Sequence, residues 1–281
     1  MATLVGGIGT SHIPAIGGAI AKGLQQEPYW KPFFDGFPPI HAWLDRVKPE
    51  VVVVFYNDHG LNFFLDKMPT FAIGAAPLYR NADEGWGIPT LQPLRGDPAF
   101  SWHLIEALVE REFDVTSCQE MLVDHACMLP LKLLYPEGDC PVAVVPVCIN
   151  TVQFPLPKAS RVYALGRAVG EAIRAWNSDK KVAVLASGGL SHQLDGERAG
   201  FINKEFDLQF LASLESNPEW AAQFSIHELV EKSGTQGVEL LMWLAMRGAL
   251  SSAGPSVRKV HSNYHIPISN TATAVMALEA A

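Results

Sequence analysis

Three histidines each follow the end of a short apolar segment with the composition of a buried strand. They are His12, His59 and His192. In α/β proteins, ligands bind in the loops beyond the carboxyl ends of parallel strands, and these ends meet at one edge of the sheet. The placement therefore predicts that the three imidazoles converge, although any one such histidine can simply cap a strand end.

Glu239 is the fourth candidate, because it lies beside the apolar run Leu240–Met246. A carboxylate in such surroundings needs a metal, a cation or a proton, unless its face of the helix reaches water. Together with His12 and His59 it would supply two imidazoles and one carboxylate. That ligand set suits non-haem Fe(II) and catalytic zinc alike, so the residue types alone do not choose the metal.

His192 would then be a spare imidazole beside the metal, suited to acid and base catalysis because its ordinary pKa lies near neutrality. His125 follows Asp124 and either lines the same pocket or is an ordinary loop histidine. The loop Asp83–Gly87 combines two acids and a tryptophan with glycines, as a lid or a turn would. The chain has no P-loop, dinucleotide fingerprint, HExxH or GxSxG motif.

Apolar segments typical of strands alternate with segments of helical periodicity through most of the chain. The predicted strands cover residues 2–9, 50–56, 70–76, 141–150 and 181–187. The predicted helices cover residues 38–48, 100–113, 159–177, 203–216, 226–232 and 233–246, the last starting at a capping box of Ser233 and Gln236. This order predicts an α/β single-domain sandwich over residues 1–281, with a mostly parallel central sheet flanked by helices.

Composition excludes several classes of protein. Of 281 residues, 48% are hydrophobic and 18% are charged, which excludes a disordered chain. The longest apolar run, seven residues, is far shorter than the roughly 20 of a membrane span. A net charge of −8 without a basic run argues against nucleic acid as a partner, and four cysteines without a CxxC pair favour a reducing cytoplasm. The low charged fraction indicates either a surface covered by a partner subunit or a large buried sheet.

The motifs around these residues resemble the type II extradiol dioxygenases, and among them the catalytic β subunits of protocatechuate 4,5-dioxygenases. The resemblance runs over nearly the whole length. Its segments include Thr10–Pro14, Tyr56–His59, Pro69–Gly74, Ala82–Gly87, Val123–His125, Gly188–Gln193, Ile202–Asp207, Gly237–Glu239, Met246–Leu250 and Tyr264–Thr271. Each segment is short, but their occurrence in this order is very specific.

The resemblance implies that His12, His59 and Glu239 hold Fe(II) and that His192 is the catalytic acid and base. It further implies that His125 also acts in the pocket. Ser269 and Asn270 match a family segment near the substrate carboxylate or ring hydroxyls.

The implied reaction is cleavage of a carboxylated catechol by O₂ beside its two hydroxyls, with protocatechuate as the expected substrate. A small α subunit in an α₂β₂ assembly is the implied partner. Gallate or another substituted catechol, a zinc hydrolase and a non-catalytic binding protein of the same fold are the alternatives.

Overall fold

A computed structural model describes residues 1–85, residue 88 and residues 92–280. Trp86 and Gly87, which belong to the loop interpreted as a lid or a turn, lie outside the described residues. None of the helices that the structure describes has both the length and the apolar character needed to cross a bilayer.

The strands form one eight-stranded sheet, in the order β10-β11-β1-β9-β2-β8-β3-β6, and one small three-stranded sheet, in the order β5-β4-β7. Their bounds are β1 (Thr3–Thr10), β2 (Val51–Tyr56), β3 (Phe71–Gly74), β4 (Leu78–Asn81), β5 (Leu94–Arg95), β6 (Thr116–Cys118), β7 (Leu122–Val123), β8 (Ala143–Ile149), β9 (Lys181–Ser187), β10 (Val257–Ile268) and β11 (Thr271–Ala280). The central strands β1, β9, β2 and β8 are all parallel, whereas β11 and β3 flank them in antiparallel orientation. The predicted α/β class with a mostly parallel sheet is confirmed.

Helices cover both faces of the large sheet. They are α1 (Pro14–Ala21), α2 (Lys31–Phe34), α3 (Pro38–Val47), α4 (Pro98–Val109), α5 (His125–Leu134), α6 (Ala159–Ala175), α7 (Lys204–Ser216), α8 (Glu219–Ala222), α9 (Ile226–Ser233) and α10 (Leu241–Ser251), with a 3₁₀ helix at Gly237–Leu240. Successive side chains of a strand point to opposite faces. Val51, Val53 and Phe55 of β2 accordingly join one apolar cluster, and the residues between them join a second. This arrangement explains why β2 is apolar throughout.

The helix predicted over residues 233–246 begins later than predicted, so the predicted N-terminus is wrong. Ser233 is the last residue of α9, and the capping box lies at the other end of that helix, between Ser225 and Glu228. Gly234 ends α9 with a φ of 91°, a conformation that side chains with a Cβ rarely adopt. The chain then resumes as the 3₁₀ helix that carries Glu239, and α10 begins two residues later.

Close packing of α6 on α10 requires a glycine at position 166. A Cβ there would lie 2.0 Å from the carbonyl oxygen of Ala245. We expect Gly166→Ala to destabilise the fold by about 1–3 kcal/mol, because one backbone would have to move away from the other. Thermal unfolding measures this, with Gly18→Ala in α1 as the control, since a Cβ at Gly18 meets no atom within 4 Å. Equal melting temperatures for the two variants would contradict the prediction.

Candidate metal centre

The carboxyl ends of the parallel strands bring the predicted histidines to one cavity of about 380 Å³. His12 follows β1, His59 follows β2 and His192 follows β9. The described residues that line the cavity are His12, Ile13, Pro14, Asn57, His59, His125, Thr151, Val152, Phe154, Gly189, His192, Leu194, Thr235, Gln236, Glu239, Ser269 and Thr271. The structure thus brings together all the predicted site residues except Asn270.

His12 is held through its Nδ1 atom, which lies 2.7 Å from the hydroxyl oxygen of Ser187. The Ser187 hydroxyl donates its own hydrogen to the carbonyl oxygen of Ala126, so it accepts from the imidazole. This chain of hydrogen bonds places the proton of His12 on Nδ1 and leaves the Nε2 lone pair directed at the site. Burial lowers the pKa of His12, which favours the neutral imidazole that a metal requires.

His59 is oriented by a buried carboxylate. Its Nδ1 and its backbone nitrogen both donate to Oδ2 of Asp124, each at 2.9 Å. The other oxygen of Asp124 accepts from the backbone nitrogen of Ala126 and caps α5. Burial lowers the pKa of His59, but the nearby carboxylates of Asp124 and Glu239 outweigh it and raise the pKa to about 10. A histidine that donates Nδ1–H to a carboxylate in this way is a typical metal ligand.

Glu239 meets both imidazoles with its carboxylate. Oε2 lies 3.5 Å from Nε2 of His12, and Oε1 lies 3.5 Å from Nε2 of His59. The backbone nitrogen of Gly189 donates to Oε2, and the amide nitrogen of Asn57 donates to Oε1. Burial raises the pKa of Glu239, but the neighbouring imidazoles outweigh it and hold the pKa well below its ordinary value. The carboxylate is therefore an anion at neutral pH.

The spacing of these donor atoms fits a metal ion. Nitrogen and oxygen ligands lie about 2.0–2.2 Å from a bound divalent ion, so neighbouring ligand atoms lie roughly 3.0–3.6 Å apart. Each oxygen of Glu239 lies 3.5 Å from a different imidazole nitrogen, a separation that falls within that range and is too long for a good hydrogen bond. The donors also present the atoms that a metal needs, which are the Nε2 lone pair of His12, Nε2 of His59 once an ion displaces its proton, and an anionic oxygen.

His125 is a third imidazole of the cluster. Its ring stacks on that of His59 at a centroid distance of 4.4 Å, and potential ligand atoms of His12, His59 and His125 lie within 4.8 Å of one another. Its Nδ1 lies 2.7 Å from Oε1 of Glu84, whose other oxygen accepts from the backbone nitrogen of His125. The geometry therefore offers a second ligand set of three imidazoles beside the set that contains Glu239.

His192 occupies a different position from the other imidazoles. Its Nδ1 donates to the carbonyl oxygen of Leu190 at 2.8 Å, which leaves Nε2 unprotonated in the neutral ring. Nε2 lies 3.9 Å from Oε2 of Glu239, at the edge of the ligand cluster. The ring is therefore placed to exchange a proton with a molecule bound in the cavity.

The turn between β10 and β11 contributes to the cavity only in part. Ser269 lines it, with a φ of 56°, and the hydroxyl of Tyr29 accepts from the Ser269 backbone nitrogen at 2.9 Å. Asn270 is exposed and its amide lies beside Gly200, and neither residue is among the described lining residues. Its predicted contact with substrate stays a prediction. Thr151, Thr271 and Gln236 line the cavity without having been predicted, because nothing in their local sequence distinguishes them.

The hydrogen bond from His12 to Ser187 is open to a direct test. We expect Ser187→Ala to weaken metal binding by about 10- to 100-fold, because His12 loses the partner that fixes its tautomer and ring orientation. Anaerobic titration of the metal-free protein with Fe(II) measures the change. Ser252→Ala is the control, because the hydroxyl that it removes donates to Ala249 near the end of α10. Wild-type affinity in Ser187→Ala would contradict this role.

Comparisons with known proteins identify relatives of this chain. The chain is 39% identical over 199 residues to the gallate dioxygenase of Pseudomonas putida, covering 70% of this chain and 57% of that protein. It is 28% identical over 290 residues to a 2,3-dihydroxyphenylpropionate/2,3-dihydroxicinnamic acid 1,2-dioxygenase of Burkholderia vietnamiensis, covering 84% of this chain and 89% of that protein. The chain thus spans little more than half the length of the gallate dioxygenase.

The fold also has a solved counterpart. The crystal structure of the uncharacterized protein JW3007 from Escherichia coli K12 superposes with a TM-score of 0.54 at 15% identity, over 97% of this chain and 99% of that one. At that identity the likeness concerns the fold alone. Residues 6–276 match the family described as the catalytic LigB subunit of aromatic ring-opening dioxygenase. With the match extending over nearly its full length, the chain belongs to this LigB family.

Proposed function

We propose that the chain is an Fe(II)-dependent extradiol dioxygenase that opens the ring of a carboxylated catechol. The observation that carries the proposal is the convergence of two imidazoles and one carboxylate, with His192 beside them, in a cavity of about 380 Å³. Two histidines and one carboxylate are the ligands typical of non-haem Fe(II) oxygenases. The family of the chain supports the same chemistry.

His12, His59 and Glu239 are the residues that would hold the metal. Fe(II) there would supply Lewis acidity and redox chemistry, bringing the two catechol oxygens and O₂ together. In the overall reaction both atoms of O₂ enter the product, and the ring bond beside the hydroxyls breaks. The apolar side chains of Ile13, Val152 and Phe154 hold the ring in place and displace water from it.

His192 moves the proton in this scheme. Its unprotonated Nε2 accepts a hydrogen from a catechol hydroxyl, and the Nδ1–H bond to Leu190 keeps the ring in the required orientation. The same nitrogen, once protonated, returns the hydrogen to oxygen as the ring opens.

Neutral donors must recognise the substrate carboxylate. No lysine or arginine is found among the described residues that line the cavity, and the whole chain has a net charge of −8. Ser269, with Asn270 beside it, is our proposed carboxylate contact, as the family resemblance implies. This choice selects carboxylated catechols over larger or cationic ring compounds.

Gallate is the substrate that the comparisons favour over protocatechuate, since the gallate dioxygenase of Pseudomonas putida is 39% identical to this chain. The two compounds differ by one ring hydroxyl, and the enzyme's preference between them depends on a few pocket contacts.

The mouth of the cavity is apolar, because Val152, Phe154 and Leu194 are each about half exposed there. We propose that a small second subunit covers this mouth, as in an α₂β₂ assembly.

Oxygen consumption by anaerobically prepared, Fe(II)-loaded protein tests the function. We expect uptake of one O₂ per ring opened, with gallate or protocatechuate turning over faster than catechol itself. Co-expression with a small α subunit of the family is expected to raise the rate. Zinc-loaded protein without O₂ uptake serves as the control. Inactivity of the iron form on the whole panel would refute the proposal in favour of a hydrolase or a binding protein.

A further inference from the structure

A buried carboxylate behind the catalytic loop has no part in the scheme above. Asp207 lies in the first turn of α7 and is 1% exposed. Within the part of the chain that the structure describes, no lysine or arginine forms an ion pair with it. Burying a carboxylate without a cation is costly, so its hydrogen bonds must compensate.

Asp207 accepts three hydrogen bonds from two residues. The backbone nitrogen of Ser191 donates to Oδ1 at 2.9 Å, and the Ser191 hydroxyl donates to Oδ2 at 2.6 Å. The hydroxyl of Tyr264 donates to Oδ2 at 2.9 Å. Ser191 is in turn bonded by the backbone nitrogen of Asn203, the residue that caps α7. Both the backbone and the side chain of Ser191 are therefore fixed to the start of this helix.

Ser191 directly precedes His192, so the position of Ser191 determines the position of the His192 backbone and thereby of its imidazole ring. The backbone nitrogen of His192 donates to the carbonyl oxygen of Ser233, and its ring donates to Leu190. Neither of these bonds reaches α7. Asp207, together with the cap residue Asn203, thus ties the His192 loop to α7, and Asp207 is not among the described residues that line the cavity.

We propose that Asp207 is a positioning residue, which acts through Ser191 to hold Nε2 of His192 beside the metal ligands. The expected kinetic effects of this inference rest on the proposed function, whereas the expected position of the His192 ring does not. Misplacing a catalytic group by about 1 Å can cost roughly 100-fold in rate. The loss is expected in kcat rather than in KM, because Asp207 lies outside the residues that line the cavity.

The test introduces Asp207→Asn into two backgrounds, the wild-type protein and the His192→Phe variant. In each background, the kinetics with and without Asp207→Asn are compared. In the native background we expect kcat to fall about 10- to 100-fold, with KM changed less than threefold and metal content preserved. In the His192→Phe background the same substitution should change the residual rate less than twofold, since the group that it positions is gone. An equal loss in both backgrounds, or no loss in the first, would overturn the proposal.

Ser213→Ala is the matched control, because its residue is also buried on α7 but its hydroxyl donates to Phe210 of the same helix. If Asp207→Asn fails to fold, Ser191→Ala takes its place in the same cycle, since it removes the hydroxyl bonds with Asp207 and Asn203 and keeps the backbone bond to Asp207. A crystal structure of the variant gives a readout independent of turnover. We expect Nε2 of His192 to move from its 3.9 Å distance to Glu239. An unmoved imidazole would refute the positioning role, whereas wild-type protein without O₂ uptake would refute only the proposed function.

Discussion

Replacing Glu239 with alanine is expected to remove the metal from the protein, lowering the bound Fe(II) more than tenfold at equal free metal. Glu239 is the anionic member of the proposed ligand set, and its two oxygens face Nε2 of His12 and of His59. Without it, the proposed set keeps two imidazoles and loses its only anionic ligand. The measurement is metal content per chain after anaerobic loading and gel filtration.

His125→Ala distinguishes the two ligand sets that the geometry offers. If Glu239 is a ligand, His125→Ala keeps its metal, because His12, His59 and the carboxylate remain. If the metal lies on the three imidazoles instead, the outcomes are reversed: Glu239→Ala keeps the metal and His125→Ala loses it. Glu231→Ala, which removes an exposed glutamate, controls for a general effect of lost negative charge. The reversed pattern would contradict the assignment of Glu239.

The sequence best predicts the location of residues that lie just beyond the end of a buried strand. The parallel strands β1, β2 and β9 are apolar on both faces, so their ends are visible in the sequence. The side chains just beyond those ends meet because the sheet brings them together. His12, His59 and His192 could therefore be placed at one site before the fold was known.

Partners of these side chains could not be predicted, because they depend on how distant segments are aligned. Ser187 meets His12 since the register of β1 against β9 pairs Thr10 with Ser187. Asp124 meets His59 because α5 begins beside the end of β2. No local pattern encodes either pairing.

The start of the segment that carries Glu239 was mispredicted for a related reason. Ser233 and Gln236 have the spacing of a capping box, but the Ser233 hydroxyl bonds back to Leu229 inside the preceding helix. The left-handed turn at Gly234 and the packing of the following 3₁₀ helix against the His192 loop decide the local structure. Tertiary contacts here override a motif that the sequence shows clearly.

Replacing His192 with phenylalanine is expected to leave metal binding intact and to lower kcat by about 100- to 10,000-fold. Phenylalanine keeps a planar ring against Gly189, where the space is tight, but it has no nitrogen to accept or return a proton. His192 is not among the proposed ligands, and its Nε2 lies 3.9 Å from Glu239, so the ligand cluster should survive the change. O₂ uptake and metal content are measured on the same preparation.

A second variant separates proton transfer from shape. His192→Gln can still hydrogen-bond but does not titrate near neutrality, so we expect it to lose activity nearly as far as His192→Phe. His227→Ala, an exposed histidine on α9, is the control and should match wild type. Recovery of activity in His192→Gln would mean that hydrogen bonding alone suffices. Loss of metal in His192→Phe would instead mean that His192 helps to hold the ion, and the division of the site into three ligands and one proton carrier would be wrong.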